Sequence, residues 1–176
     1  MNREGINQGT SGNVSARWND GMLITPSGVP YEDLRTRNIV FVDGNGTPAS
    51  GQRPSSEWRF HLAILQARPE VGAVVHTHSV HATALSIRGM EIPAVHYMVA
   101  AAGGPTIRCA PYATFGTREL SDRALQALTD RRACLLANHG VIATGPDLSR
   151  ALWLAGEVET LARQYILSLS LGEPKI

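Results

Sequence analysis

The spacing of apolar residues changes several times along the chain, and each change marks an element. Residues 14–17 alternate with period two and predict a short strand. Met22-Leu23-Ile24-Thr25 predicts its return strand, with the hairpin turn at Trp18-Asn19-Asp20-Gly21 signalled by Asp-Gly. Ile39-Val40-Phe41-Val42 predicts another strand, closed by Asp43-Gly44-Asn45-Gly46. After Pro54 the period lengthens. Glu57, Phe60, His61, Ile64 and Leu65 recur at helical spacing to about Arg68, with Ser55 and Ser56 as N-caps. Val71, Ala73, Val74 and Val75 then lead into a buried strand, Val74-Val75-His76-Thr77-His78.

The second half reads in the same way. Residues 79–87 predict a short helix, 107–110 a strand, and 117–128 an amphipathic helix capped by Thr117. Residues 133–137 predict a buried strand that ends at Asn138-His139-Gly140, and 141–144 continue extended. Asp147 caps a long helix to about Ser170, with Leu148, Leu152, Ala155, Val158, Leu161, Ala162 and Tyr165 as its apolar stripe. Residues 93–102 are apolar with no period that chooses an element. Short strands joined by tight turns, without strict βαβ alternation, predict a mixed, largely antiparallel sheet covered by helices.

Composition narrows the class. A chain of 176 residues fits one domain, 1–176, with a sizeable core. Hydrophobic residues at 43% and charged residues at 18% describe an ordinary soluble globular protein. A net charge of +1 with no basic stripe argues against nucleic-acid binding. No apolar run reaches the ~18 residues of a membrane span, and no signal-peptide pattern opens the chain. Cys109 and Cys134 are far apart and make no disulfide framework. The expected location is the cytoplasm.

Three groups of residues carry candidate chemistry. His76 and His78 alternate with Thr77, so both imidazoles leave one face of a strand and could grip one metal ion. A chance pair, one ring buried and one at the strand end, is the competing reading. His139 stands at the end of a second buried strand, beside Gly140. Three imidazoles plus one open position describe a catalytic zinc site. Glu57, placed in the first turn of its helix, is the candidate fourth group. Its carboxylate either faces the metal or serves the helix N-terminus, and the spacing does not choose. Thr10, Ser11, Asn13, Ser27, Gly28, Ser55 and Ser56 offer small donors and open backbone N–H groups suited to an anion such as phosphate.

Taken in order, Asn7-Gln8-Gly9-Thr10-Ser11-Gly12-Asn13-Val14-Ser15, Leu23-Ile24-Thr25-Pro26-Ser27-Gly28, Pro54-Ser55-Ser56-Glu57-Trp58-Arg59, Val75-His76-Thr77-His78 and Asn138-His139-Gly140 resemble the class II aldolase/adducin family. The resemblance extends to Ile92-Pro93-Ala94-Val95-His96-Tyr97-Met98 and to Ala110-Pro111-Tyr112-Ala113-Thr114-Phe115-Gly116-Thr117. It implies a three-layer α/β/α sandwich and a homotetramer with its sites at subunit interfaces. It implies that His76, His78 and His139 bind Zn²⁺ or another divalent metal, one per subunit. Glu57 would ligate the resting metal and then act as acid/base, and Tyr97 would be a proton donor supplied by a neighbouring subunit. Thr10, Ser11, Asn13, Ser27, Gly28, Ser55 and Ser56 would hold a substrate phosphate.

The implied reaction is aldol cleavage of a ketose 1-phosphate, L-fuculose 1-phosphate first, to dihydroxyacetone phosphate and L-lactaldehyde. Lys175 is the only lysine and lies at the C-terminal end, which argues against the Schiff-base route. Alternatives on the same scaffold are a pentulose-5-phosphate 4-epimerase, a sugar-phosphate decarboxylase or dehydratase, and a non-enzymatic adducin-like scaffold. The family's longer N-terminal helix and its tyrosine-bearing C-terminal tail have no counterpart in 1–176, so weakened closure over the site is expected. His61 is read as packing, and His81 and His96 carry no assigned role. Trp58 and Trp153 are read as core or subunit contacts.

Overall fold

The apolar run that leads into His76 becomes the middle strand of a seven-stranded sheet, in a computed structural model that describes residues 1–175. The strands are β1 (Asn13–Trp18), β2 (Gly21–Ile24), β3 (Val40–Val42), β4 (Ala73–Thr77), β5 (Cys109–Ala110), β6 (Ala133–Leu136) and β7 (Gly140–Gly145). The helices are α1 (Trp58–Ala67), α2 (Val80–Ile87), α3 (Arg118–Ala127) and α4 (Leu148–Leu169). Spatial order is β3-β2-β1-β4-β7-β6-β5. Every neighbouring pair is antiparallel except β5 with β6, so the sheet is mixed and largely antiparallel as expected.

Alternation along the central strands builds the layers. Ala73 and Val75 of β4, Ala133 and Leu135 of β6, and Val141 and Ala143 of β7 face α2 and α4. Val74, Cys134, Leu136 and Ile142 face the other way, onto α1 and α3. Period-two strands buried on both faces demand helices on both sides, which is the three-layer sandwich. Cys134 is a fully buried apolar residue of the α1/α3 side, and both cysteines are free. Among the described residues no helix is long and apolar enough to cross a membrane.

The helix caps at Thr117 and Asp147 form as the sequence predicts. Thr117 Oγ1 accepts from the Leu120 N–H at 3.2 Å and Asp147 Oδ1 from the Arg150 N–H at 2.8 Å. Residues 93–102 resolve into a 3-10 helix over Tyr97–Ala102. Two expectations need correction. Glu57 is itself the N-cap residue of α1, and neither Ser55 nor Ser56 caps it. On α4, Leu148 is exposed while Ala151 and Leu154 join the core; Ala155, Val158, Leu161 and Ala162 are buried as expected, with Leu152 and Tyr165 partly buried beside them. The first hairpin turns at Trp18-Asn19-Asp20-Gly21 as expected, with Asn19 left-handed (φ 49°) and Gly21, the first residue of β2, paired with Trp18. Gly21 answers a further constraint: a Cβ there would stand 2.1 Å from the Val42 carbonyl oxygen of the neighbouring strand.

These roles are separable by mutation. Asn19→Gly is expected to shift stability by less than about 0.5 kcal/mol, since glycine accepts positive φ without strain. Gly21→Ala is expected to cost about 1–3 kcal/mol, because β3 must move away. Urea midpoints of the two variants check this; equal effects would leave the turn as the whole reason for Gly21.

Candidate metal centre

Four side chains from three places in the chain meet at one end of the central strands. His76, on β4, turns its ring toward α1, with edge-on contact to Phe60 at 5.4 Å between centroids. Its Nδ1 lies 2.8 Å from the Val141 carbonyl of the paired strand β7. A carbonyl only accepts, so Nδ1 carries the hydrogen and Nε2 presents a lone pair. His78 follows one residue beyond β4, and its backbone N–H donates to Asn7 Oδ1 at 3.2 Å. Alternation holds across the strand end: the His78 Nε2 reaches within 3.0 Å of the His76 Nε2.

His139 comes from the β6–β7 turn. Asn138 takes a left-handed conformation (φ 58°), and the His139 N–H donates to the Leu136 carbonyl at 3.0 Å. Gly140 is needed for close approach. A Cβ there would lie 2.4 Å from the Thr77 carbonyl and 3.0 Å from the His78 ring. The three imidazoles sit edge to face, with centroids 4.8–5.0 Å apart.

Glu57 closes the group. The sequence left it between helix capping and the metal; its side chain makes no cap bond and turns toward the histidines instead. Its Oε2 lies 3.2 Å from His76 Nε2 and its Oε1 3.0 Å from His139 Nε2. One ligand atom from each of Glu57, His76, His78 and His139 lies within 4.8 Å of the other three. Glu57 Oε1 is buried with no hydrogen-bond partner.

This donor set fits a divalent metal. With the proton of His76 spent on Val141, lone pairs of a carboxylate and an imidazole converge on one point, where a cation satisfies them. Ligands about 2.0–2.1 Å from a tetrahedral zinc stand roughly 3.3 Å from one another, close to the separations seen. Burial alone would raise the Glu57 carboxyl, but His76 and His139 beside it outweigh that and hold it well below the usual carboxylate range. Burial, then neighbouring His76 and His139, push His78 down to about 4, which keeps it a neutral ligand at neutral pH.

The small-residue loops gather beside the centre. The Ser27 N–H donates to the Arg53 carbonyl at 3.2 Å and the Ser55 N–H to the Thr25 carbonyl at 3.0 Å, so residues 25–28 lie against 53–56. Tyr31 ties in the third loop by donating its hydroxyl to the Ser11 carbonyl at 3.0 Å. Thr10, Ser27, Gly28 and Ser56 are exposed, whereas Ser55 is buried with its Oγ accepting from the Glu57 N–H at 3.3 Å. Asn13 is buried, and one of its two amide hydrogens goes to Glu57 Oε2 at 3.0 Å.

A cavity of about 350 Å³ opens over the metal donors, lined by Ser56, Glu57, His78, Tyr112, Ala113, Phe115, Asn138 and His139. Tyr97 is not among these residues; it is 81% exposed on the 3-10 helix. Sequence reasoning missed Asn7, which positions His78, and it missed the role of His61, whose ring nitrogens meet Ser15 and Asn13.

Fold and site together define an α/β/α sandwich with a candidate metal centre of one glutamate and three histidines, and residues 1–166 match the family model for the Class II Aldolase and Adducin N-terminal domain. The chain belongs to that family. It is 60% identical over 174 residues to the L-fuculose phosphate aldolase of Escherichia coli (strain K12), covering 99% of this chain and 81% of that protein. It is 58% identical over 172 residues to the 5-methylthioribulose-1-phosphate/5-deoxyribulose-1-phosphate aldolase of Rhodospirillum rubrum, covering 98% of this chain and 78% of that one. A solved L-fuculose 1-phosphate aldolase superposes with a TM-score of 0.93 at 42% identity, over 97% of this chain and 82% of that chain.

The buried histidines make stability depend on pH. An unfolded histidine titrates near 6.5, whereas burial, with His76 adding to it, pushes His61 down to about 3. Between those values the unfolded chain binds more protons, so stability is complete above about pH 6.5 and is lost as pH falls toward 3 for His61 and 4 for His78. The His61 contribution approaches about 1.4 kcal/mol per pH unit. Urea midpoints of the metal-free protein from pH 7.5 to 4.5 are expected to fall, and His61→Gln is expected to flatten that slope.

Proposed function

We propose that this chain is a zinc-dependent aldolase that cleaves a ketose 1-phosphate, L-fuculose 1-phosphate first, to dihydroxyacetone phosphate and L-lactaldehyde. One observation carries the reading: Glu57, His76, His78 and His139 direct four ligand atoms at one point beside an open cavity. Zinc is favoured because three imidazoles and a carboxylate suit a four-coordinate borderline cation better than the oxygen-rich shells of magnesium or calcium. Bound there, the metal supplies Lewis-acid stabilisation of the charge that collects on substrate oxygen when a carbon–carbon bond opens.

The chain's own residues supply the rest. Glu57 gives the proton, in cleavage, to the carbon that the opening bond leaves as an enediolate, and takes it in the reverse direction; Oε1, the oxygen that Asn13 does not engage, is the atom suited to this. Ser27, Gly28, Ser55 and Ser56, with Thr10, Ser11 and the second amide hydrogen of Asn13, hold the phosphate through hydroxyl and backbone donors. Lysine plays no part, since Lys175 is the only one. Tyr97, exposed and outside its own chain's cavity, acts at the aldehyde oxygen of a neighbouring subunit's substrate. That role requires a homo-oligomer, a tetramer by family resemblance. Residues 1–176 form one such domain, and the working location is the cytoplasm.

A second reading is supported by a specific observation: a 5-deoxyribulose-1-phosphate aldolase is nearly as similar as the fuculose enzyme, at 58% against 60% identity. Both substrates leave the same dihydroxyacetone phosphate half and differ in the aldehyde. The two are separated by comparing kcat/KM on L-fuculose 1-phosphate and 5-deoxyribulose 1-phosphate.

Dihydroxyacetone phosphate release is expected to vanish with chelator and return with Zn²⁺. Glu57→Gln is expected to keep the metal and lose about 10²–10⁴-fold in kcat. Cleavage that survives chelation would end the metal reading. Epimerisation of a pentulose 5-phosphate without cleavage would transfer the case to the epimerase.

A further inference from the structure

His61 has both ring nitrogens committed to side chains that lead to the metal centre. Its Nδ1 lies 2.7 Å from Ser15 Oγ and its Nε2 2.5 Å from Asn13 Oδ1. The Asn13 amide nitrogen in turn lies 3.0 Å from Glu57 Oε2. All four residues are buried, and His61 is completely so.

Every hydrogen in this chain can be assigned by starting at the carboxylate. Ionised Glu57 only accepts, so Asn13 turns its NH₂ group toward it. The Asn13 carbonyl oxygen therefore faces His61 and can only accept, so His61 carries its hydrogen on Nε2. Nδ1 is then a lone pair, and the Ser15 hydroxyl must donate to it. Donation runs one way, from Ser15 through His61 and Asn13 to Glu57. Reversing any member would set two acceptors or two donors face to face in a dry interior, with no water to satisfy them.

The fold places the members deliberately close. Asn13 and Ser15 stand two apart on β1 and so share the face opposite α1. Asn13 is the register partner of His76, which brings its amide beside a metal ligand. His61 lies one turn after Glu57 on α1. An apolar residue would fill the position of His61 with no polar group to satisfy, so plain packing does not account for a histidine there.

We propose that Ser15, His61 and Asn13 form a buried hydrogen-bond chain that fixes Glu57 Oε2 and leaves Oε1 free for the metal and the proton, making His61 a positioning residue. The proposal rests on the metal-centre reading of Glu57 but not on the identity of the substrate. Burial also keeps His61 neutral at working pH, in the state the chain requires.

The test uses the full chain loaded with Co²⁺, whose visible spectrum reports ligand geometry, and ¹⁵N–¹H NMR of the His61 ring. The wild type is expected to show the Nε2–H tautomer of His61. His61→Leu is expected to weaken Co²⁺ retention against chelator by about 10–100-fold, change the spectrum and lower kcat with KM little altered. His61→Gln, which keeps an N–H toward Asn13, is expected to restore most of that loss. Ser15→Ala is expected to keep the Nε2–H tautomer, which Asn13 Oδ1 still requires, and to shift the spectrum in the same direction as His61→Leu by a smaller amount. Should His61→Leu fail to fold, Ser15→Ala and His61→Gln decide the matter. An Nδ1–H tautomer in the wild type, or a folded His61→Leu with wild-type Co²⁺ retention and spectrum, overturns the proposal. A wild type that binds Co²⁺ with these signatures but cleaves no ketose 1-phosphate would reject the substrate reading alone.

Discussion

Holding several lone pairs against one another in a dry interior is the constraint on which this structure turns. Glu57, His76, His78 and His139 crowd their ligand atoms within 4.8 Å of one another, and Glu57 and His76 are buried away from the water that would otherwise satisfy them. The fold must therefore supply the energy of assembly before any metal arrives. It does so with the middle of the sheet. β4 is buried along its whole length and paired on both sides, so His76 has nowhere to retreat. Gly140 removes the one Cβ that would keep β7 and the His78 ring apart. Once bound, the metal returns this cost as folding free energy, so holo stability and metal affinity are linked quantities.

The division of labour between buried and exposed parts follows from the same constraint. Charge handling needs fixed groups in a low dielectric, and those groups sit on strands or at helix ends. Substrate recognition needs access, and the loops proposed for phosphate are on the surface, tied to each other by backbone bonds at 25–28 and 53–56. Ser55 lies at the junction: its backbone pairs with one loop, while its hydroxyl accepts from the N–H of Glu57. A shift of the loop that accompanies anion binding would therefore be felt at the carboxylate.

Much of this was legible in the sequence, for identifiable reasons. The His-Thr-His spacing determined which rings share a face, because strand period is a local property. The strand-end position of His139 was likewise local. Glu57 was ambiguous because one carboxylate at a helix start serves two chemistries equally, and only the three-dimensional position of His139 separates them. His61 was read as packing because its partners, Ser15 and Asn13, are 46 and 48 residues away and meet it only once α1 lies against β1. The close approach at Gly21 was hidden for the same kind of reason: it comes from the Val42 carbonyl across the sheet. Local periodicity carries the elements and faces; contacts that depend on which strands become neighbours do not show in it.

The cavity rim bears on what the proposed reaction would accept. Aldol cleavage of either candidate ketose 1-phosphate leaves an identical phosphorylated three-carbon half, and the metal centre and phosphate loops would grip that half alone. Discrimination then falls to whatever surrounds the departing aldehyde. Both candidate aldehydes end in a methyl group, and the cavity over the metal donors carries two exposed aromatic rings, Tyr112 and Phe115, from the segment between β5 and α3. An apolar rim separates methyl-ended aldehydes from polyhydroxylated ones but distinguishes weakly between two that share the methyl, since one methylene in an apolar pocket is worth only about 1–3 kcal/mol. The hydroxyl that distinguishes lactaldehyde from the shorter aldehyde needs a polar partner to be read. Under the role proposed for Tyr97, which is exposed and outside its own chain's cavity, a partner of that kind would come from the neighbouring subunit. Both the reading of that hydroxyl and the proton at the aldehyde oxygen would then depend on assembly, while the single chain's metal centre and loops would grip the phosphorylated half.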